Sequence, residues 1–139
     1  MAEKVIQKEE TNDLDILMPN REITIANEVI TIREYSFKDA LTIGAEIDQF
    51  TGLIVAAMNG TNKITIEQAD AIFINNLELV NSLISVSINK PISFIESLGY
   101  EDGIQLLDWW WVVVSGFFMN AVTRKIIRQN AVNQVNQKQ

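Results

Sequence analysis

The sequence of 139 residues contains no cysteine and no histidine. Without cysteine there can be no disulfide, thiolate nucleophile or thiolate metal ligand, and without histidine there can be no imidazole ligand and no Ser-His-Asp triad. A chain without cysteine also fits a reducing compartment such as the cytoplasm. We therefore predict that the protein is not an enzyme, and that it has no catalytic residues, no metal site and no cofactor.

Basic residues are scarce and unevenly placed. The chain has 11 Lys and Arg against 18 Asp and Glu, which gives a net charge of −7. All of the acidic residues precede Arg124, whereas the last sixteen residues contain four basic residues and no acidic one. A nucleic-acid-binding protein needs a basic stripe that displaces counterions. We therefore expect no nucleic acid among the partners.

Paired acidic residues occur at Asp13/Asp15 and at Glu101/Asp102. Carboxylate pairs can bind a divalent cation or act as general acid and base, but neither pair has the spacing of a ligand loop. We interpret them as solvated charges and as favourable electrostatics at a helix start. The N-terminal residues MAEKVIQKEETNDLD also lack the apolar core of a secretory signal.

Hydrophobic residues make up 47% of the chain, enough for one core, and we find no linker or internal repeat. We predict three regions: a flexible or loosely docked N-terminal segment over 1–20, one globular domain over 21–128, and a frayed polar tail over 129–139. The fold class is α+β, mostly α. An N-terminal β-hairpin precedes two amphipathic helices, a short helical turn and a long C-terminal helix.

The hairpin is predicted between Glu22 and Glu34, where isoleucine alternates with polar residues on both sides of Asn27. Asn27 tolerates a positive φ and would form the turn. A two-stranded sheet is marginal in water. One of its faces should therefore lie on the helices or pair with another chain.

Capping signals predict the helices. Ser36 with Asp39 begins a helix that ends at Asn59-Gly60, and Thr65 with Gln68 begins a second helix that ends near Ile88. Apolar residues at steps of three and four predict the inward faces: Ala40, Ile43, Ile47, Phe50, Ile54 and Ala57 in the first helix, and Ala69, Ile72, Phe73, Leu77, Val80, Leu83 and Ile84 in the second. Gly52 is the candidate bend of the first helix. Pro91 stops the second, and Ser93 predicts the cap of the short turn.

The long helix between Gly103 and Arg128 holds all three tryptophans and has more apolar surface than one core needs. A broad apolar face contains Leu106, Leu107, Trp110, Val113, Val114, Phe117, Phe118 and Ala121. Three further apolar residues, Trp109, Val112 and Met119, lie among the polar residues of the opposite face, and Trp111 lies at the edge of the apolar face. These four are the predicted partner-binding residues, facing either another protein or a second copy of the chain.

A membrane anchor is the alternative interpretation of residues 103–122. The segment has the length of a membrane span and is followed by Arg124, Lys125 and Arg128. The polar residues within it, including Asp108, oppose insertion, and the two preceding helices need an apolar partner that this helix supplies. Packing in the core is the favoured interpretation.

The order of these elements resembles the tail assembly chaperones of long-tailed bacteriophages and prophages. The segments REITI…EVITIREYSFKD (Arg21 to Asp39) and LLDWWWVVVSGFFMNAV (Leu106 to Val122), with two amphipathic helices between them, carry the resemblance, which extends over residues 21–127. It implies a non-enzymatic assembly factor in the host cell cytoplasm that binds and solubilises the helical tape measure protein. It also implies that the protein helps to recruit tail tube subunits and is absent from the mature virion.

Overall fold

The computed structural model describes residues 20–137, so the prediction of a flexible N-terminal segment lies almost wholly outside the described residues. Within them two strands precede six helices: β1 (Arg21–Ile25), β2 (Glu28–Ile32), α1 (Phe37–Thr42), α2 (Gly44–Met58), α3 (Ile66–Asn75), α4 (Leu77–Ile88), α5 (Ile92–Glu96) and α6 (Tyr100–Gln137). The predicted fold class, mostly α with an N-terminal hairpin, is confirmed.

The hairpin is antiparallel, with Arg21 opposite Ile32. Its two turn residues, Ala26 and Asn27, have φ of 53° and 64°, as a tight primed turn requires. On one face Ile25, Ile30 and Ile32 are buried and Ile23 is half-buried, and the strands contact α4 and α6. The backbone N–H of Arg33 donates to the carbonyl oxygen of Ser87 at 3.1 Å, and the Ser87 hydroxyl donates back to the Arg33 carbonyl oxygen at 2.6 Å. Helices of the same chain therefore cover the apolar face of the hairpin.

The first predicted helix is two helices. Its start is as predicted, because the Ser36 hydroxyl accepts from the Asp39 N–H and the Asp39 carboxylate accepts from the Ser36 N–H, both at 3.1 Å. The break falls at Ile43, where φ and ψ are −110° and 30°, and not at Gly52. Gly52 lies within α2, and a Cβ there would lie 3.6 Å from Lys125 Nζ. That distance is an ordinary van der Waals contact, so a side chain at this position would not disturb the packing of α2 against α6.

The second predicted helix also breaks, at Asn76. The capping box of Thr65 and Gln68 is present, but α3 and α4 meet at 100°. The Asn76 side-chain amide donates to the Ile72 carbonyl oxygen at 2.9 Å, so it occupies an acceptor at the end of α3. The prediction that Leu77 faces inward is wrong. The bend makes Leu77 the first residue of a new helix, and its side chain is exposed.

The short turn α5 follows Pro91 as predicted, but its N-cap is Pro91 and Ser93 makes no capping bond. The last helix, α6, has 38 residues and a length of about 57 Å. It continues to Gln137 through the segment for which the sequence predicts a frayed tail. Side chains from Ile127 to Asn136 are exposed. The C-terminal quarter of α6 therefore extends beyond the core.

The core lies between the hairpin, α2, α3, α4 and the middle of α6. Its largest fully buried side chains include Trp110, Phe50 and Phe118. Tyr35, in the connection between β2 and α1, joins the layers: its hydroxyl donates to the Leu83 carbonyl oxygen at 2.6 Å and accepts from the Trp110 indole N–H at 3.1 Å. Through these two hydrogen bonds Tyr35 fixes the β2–α1 connection to both α4 and α6.

Candidate partner-binding surface

The buried face of α6 is the apolar face that the sequence predicts. Leu106, Trp110, Val113, Val114 and Phe118 are buried, and Leu107, Phe117 and Ala121, predicted on the same face, are half-buried. The buried face continues one turn further, to Val122. The middle of α6 is therefore a core helix, and its other side remains in contact with solvent.

Val112 lies at the centre of that solvent-facing side and is 58% exposed. Asp108 and Gly116, one turn before and one turn after it, are also exposed. Gly116 has open space where a Cβ would lie, so another backbone could approach α6 closely here. Val112 is thus the most accessible of the four predicted partner-binding residues.

Trp109 and Met119 flank Val112 and are half-buried. The guanidinium of Arg21, on β1, lies 5.5 Å from the centroid of the Trp109 ring, within range of a cation–π contact. The hairpin therefore covers part of this indole. We define the α6 strip as Trp109, Val112 and Met119; it is an apolar surface with one exposed residue between two partly covered ones.

Trp111, the fourth predicted residue, packs mainly inside the protein. Its ring centroid lies 6.2 Å from that of Phe50, 5.5 Å from that of Phe73 and 6.4 Å from that of Phe118. It is half-buried and separate from the α6 strip, because consecutive residues of a helix point about 100° apart. Only the outer edge of Trp111 is available to a partner.

Sequence reasoning missed an apolar pocket of about 270 Å³ between α4, the α5–α6 connection and the start of α6. Three of its lining residues, Leu77, Tyr100 and Ile104, are exposed. Ile104 lies eight residues before Val112 on α6, a rise of about 12 Å. The spacing of Tyr100 and Ile104, four residues apart, could have indicated from the sequence that both lie on one face of α6. Leu77 could not be recognised, because the bend at Asn76 decides its orientation.

A second missed feature is a cleft of about 660 Å³ between α1 and the C-terminal half of α6. Phe37 and Leu41 stand at its edge, 80% and 69% exposed, one turn apart on α1. The opposite wall carries Arg124, Lys125 and Arg128. We call this feature the α1–α6 cleft. The one-turn spacing of Phe37 and Leu41 was visible in the sequence, but the facing basic wall comes from the tertiary structure.

Within residues 20–137 no three carboxylates lie close enough together to hold a metal ion. The hydroxyl of Tyr35 is buried, and burial raises its pKa well above the usual value. Its two hydrogen bonds go to core groups, so it acts in packing.

The length and hydropathy of α6 would allow it to cross a membrane, and 33% of its apolar window is buried inside the protein. Core helices of soluble proteins commonly meet the same criteria. Six side chains of α6 are buried against the rest of the chain, as expected for a helix that packs in a core.

Comparison with known proteins gives one result. Neither the curated proteins nor the solved structures include a match to this chain. A family model described as a family of unknown function, DUF6631, matches residues 13–139. The match takes in both strands, every helix of the described region and the α6 strip. This chain therefore belongs to the family of unknown function DUF6631.

Proposed function

We propose that this protein is a non-enzymatic tail assembly chaperone that binds and solubilises the tape measure protein of a phage or prophage in the host cytoplasm. The observation that supports this function best is the exposed α6 strip. The core is already filled by the opposite face of the same helix, yet Val112 remains 58% exposed between the half-buried Trp109 and Met119. An exposed apolar side chain between two partly covered ones, on the side of the helix away from the core, favours a partner.

A long helical client suits this surface. Amphipathic helices bind apolar grooves through residues spaced by three, four and seven positions. The apolar pocket at Leu77, Tyr100 and Ile104 lies about 12 Å along α6 from Val112, so one client helix could contact both. The net charge of −7 would keep the complex in solution. Recruitment of tail tube subunits and absence from the mature virion belong to the same proposal.

Membrane anchoring through residues 103–122 is the alternative function. It would require Trp110, Val114 and Phe118 to leave a core in which all three are fully buried. Exposing those side chains to lipid would also uncover the apolar faces of α2 and α4. The chaperone is therefore the better-supported proposal.

The test is co-expression with the tape measure protein, followed by measurement of the soluble client and of its affinity for the chaperone. Wild type should keep the client in the soluble fraction without detergent. Val112→Asp places a charge in the centre of the strip and should weaken binding about tenfold or more, as the loss of an interface anchor does.

Val132→Asp is the matched control. Val132 is also 58% exposed and lies on the same helix, but it is more than five turns beyond Val112 and outside the strip. It should leave affinity unchanged. Equal effects of the two substitutions would count against the strip, and a client that stays insoluble with wild type would count against the function itself.

A further inference from the structure

The exposed end of α6, residues 127–136, has one apolar side. Ile127, Ala131 and Val135 follow one another at steps of four residues, so they lie on the same side of the helix, and all three are exposed. Arg128 lies beside them and is also exposed. The opposite side of this segment carries only Asn and Gln side chains. We call Ile127, Arg128, Ala131 and Val135 the extension face.

The extension face continues the side of α6 that packs in the core. A step of seven residues is close to two helical turns, and Val135 lies two and three such steps after the half-buried Ala121 and the buried Val114. Ala131 follows Phe117 and Trp110 in the same way. The core-facing side of α6 therefore runs on past the domain, and within residues 20–137 no other element covers it there.

A second exposed apolar surface lies on the outer side of α3. Ile66 and Ile74 are 81% and 69% exposed, and the exposed Asp70 lies midway between them on the same side of the helix. Glu67, also exposed, lies next to Asp70 on this surface. The other side of α3 packs in the core. We call Ile66, Glu67, Asp70 and Ile74 the α3 face.

The two faces match in length and are opposite in charge. On each of them the outer apolar side chains lie eight residues apart, a rise of about 12 Å. Alignment of their centres places Asp70 opposite Ala131 in either direction, one turn from Arg128. Within residues 20–137 the ion pairs involve neither Asp70 nor Arg128. Both faces are exposed in one copy of the chain, so they do not contact each other within it.

We propose that the extension face of one copy binds the α3 face of a second copy. The chain supplies both halves of this contact, with apolar side chains at the same spacing and charges of opposite sign. Pairing two extension faces, or two α3 faces, would instead bring like charges together, which is unfavourable.

The contact joins two different surfaces, so it is heterologous. Every copy has one free face of each kind after the first contact, and further copies add head to tail into a ring or an open chain. A contact between two short helical segments is small, so we expect a Kd of about 10–100 µM. Salt should weaken it, because it includes exposed charges. The α6 strip takes no part, so the inference does not rest on the chaperone proposal, and Val112→Asp should leave self-association unchanged.

Sedimentation velocity of the full-length chain tests the self-association. Wild type should grow beyond the dimer as its concentration rises from about 5 to about 500 µM, the range expected for a small interface. Val135→Asp on the extension face and Ile74→Asp on the α3 face should each weaken association about tenfold or more. Val29→Asp is the matched control, since Val29 is 67% exposed but lies on the hairpin, outside both faces, and this variant should associate like wild type. A wild type that stays monomeric would overturn the inference.

Mixing the two defective variants tests the head-to-tail geometry. Val135→Asp keeps an intact α3 face and Ile74→Asp keeps an intact extension face, so the mixture can form one intact contact and should stop at a 1:1 heterodimer. That recovery also shows that both variants are folded. A mixture that stays monomeric would contradict the proposal. So would either variant associating alone like wild type, because identical faces would then pair with each other.

Charge reversal tests the electrostatic part of the recognition. Arg128→Glu should weaken association about two- to fivefold, as the loss of an exposed ion pair does. Adding Asp70→Arg to the same chain should restore association to within about twofold of wild type, because the two charges are then exchanged. A double variant that associates no better than Arg128→Glu would show that these two faces do not meet.

Discussion

Tyr35 shows at the scale of one residue how the fold is held together. Its ring packs against those of Phe117 and Phe118, at 5.2 and 5.9 Å between centroids, and its hydroxyl connects the Trp110 indole to the Leu83 carbonyl. The sequence gives no sign of this role, because Tyr35 lies in a connection where there is no periodicity to interpret. Three elements that are distant in sequence have to meet before the role exists.

Tyr35→Phe should lower the free energy of unfolding by about 1–3 kcal/mol at neutral pH, because it leaves a buried indole N–H without its acceptor. It should also remove a pH dependence. Burial raises the pKa of Tyr35 in the folded protein, so above the ordinary value of about 10 the unfolded state loses its proton first. The unfolded state then binds fewer protons, and stability falls by up to about 1.4 kcal/mol per pH unit.

Urea unfolding followed by tryptophan fluorescence at about pH 7, 10 and 11 measures both effects. Wild type should lose stability above pH 10 more steeply than Tyr35→Phe. Tyr100→Phe is the control, since Tyr100 is exposed, and it should change stability by less than about 0.5 kcal/mol. Parallel pH profiles for wild type and Tyr35→Phe would refute the assignment.

At the scale of the element, some apolar residues of α6 are buried in the core and others are exposed to solvent. Val114 is fully buried and Val112 is 58% exposed, although they are two residues apart and chemically identical. The period of the helix separates them, and that separation was predictable from sequence. The breaks at Ile43 and Asn76 were not predictable, because tertiary packing there overrides helical patterns that continue on both sides.

The valine pair provides an internal comparison. Val114→Ala should lower the free energy of unfolding by about 1.5–3 kcal/mol through lost burial and the cavity that remains. Val112→Ala should change it by less than about 0.5 kcal/mol, because its side chain makes little contact in the folded protein. Chemical denaturation of the two variants under the same conditions measures the difference. Similar losses would mean that α6 is covered on both sides.

At the scale of the whole molecule, the domain packs around the first two thirds of α6, and the rest of this helix projects beyond the core. The helix α6 is about 57 Å long, and its exposed part begins at Ile127. Acidic residues are spread over the first part of the chain, whereas Arg124 and Arg128 stand at the base of the extension beside the α1–α6 cleft. The uneven charge along the sequence thus becomes a basic wall at one place in the structure.

Removing residues 131–139 should leave the core intact. Side chains 131–136 are exposed, so the free energy of unfolding should change by less than about 0.5 kcal/mol, while helical ellipticity at 222 nm decreases with the lost turns. Urea unfolding and far-UV circular dichroism of the truncated chain test this. A large loss of stability would show that the extension packs against the domain.

The sequence by itself determined the hairpin, the helix starts at Ser36 and Thr65, and the buried face of α6, because each follows from local periodicity or from a capping box within four residues. The same local signals placed Leu77 inside and Gly52 at a bend, and both predictions were wrong. Only the tertiary structure decided the role of Tyr35, the packing of Trp111 among phenylalanines of two other helices, and the α1–α6 cleft. Each of these depends on residues tens of positions apart, whose approach is set by how the helices bend and pack.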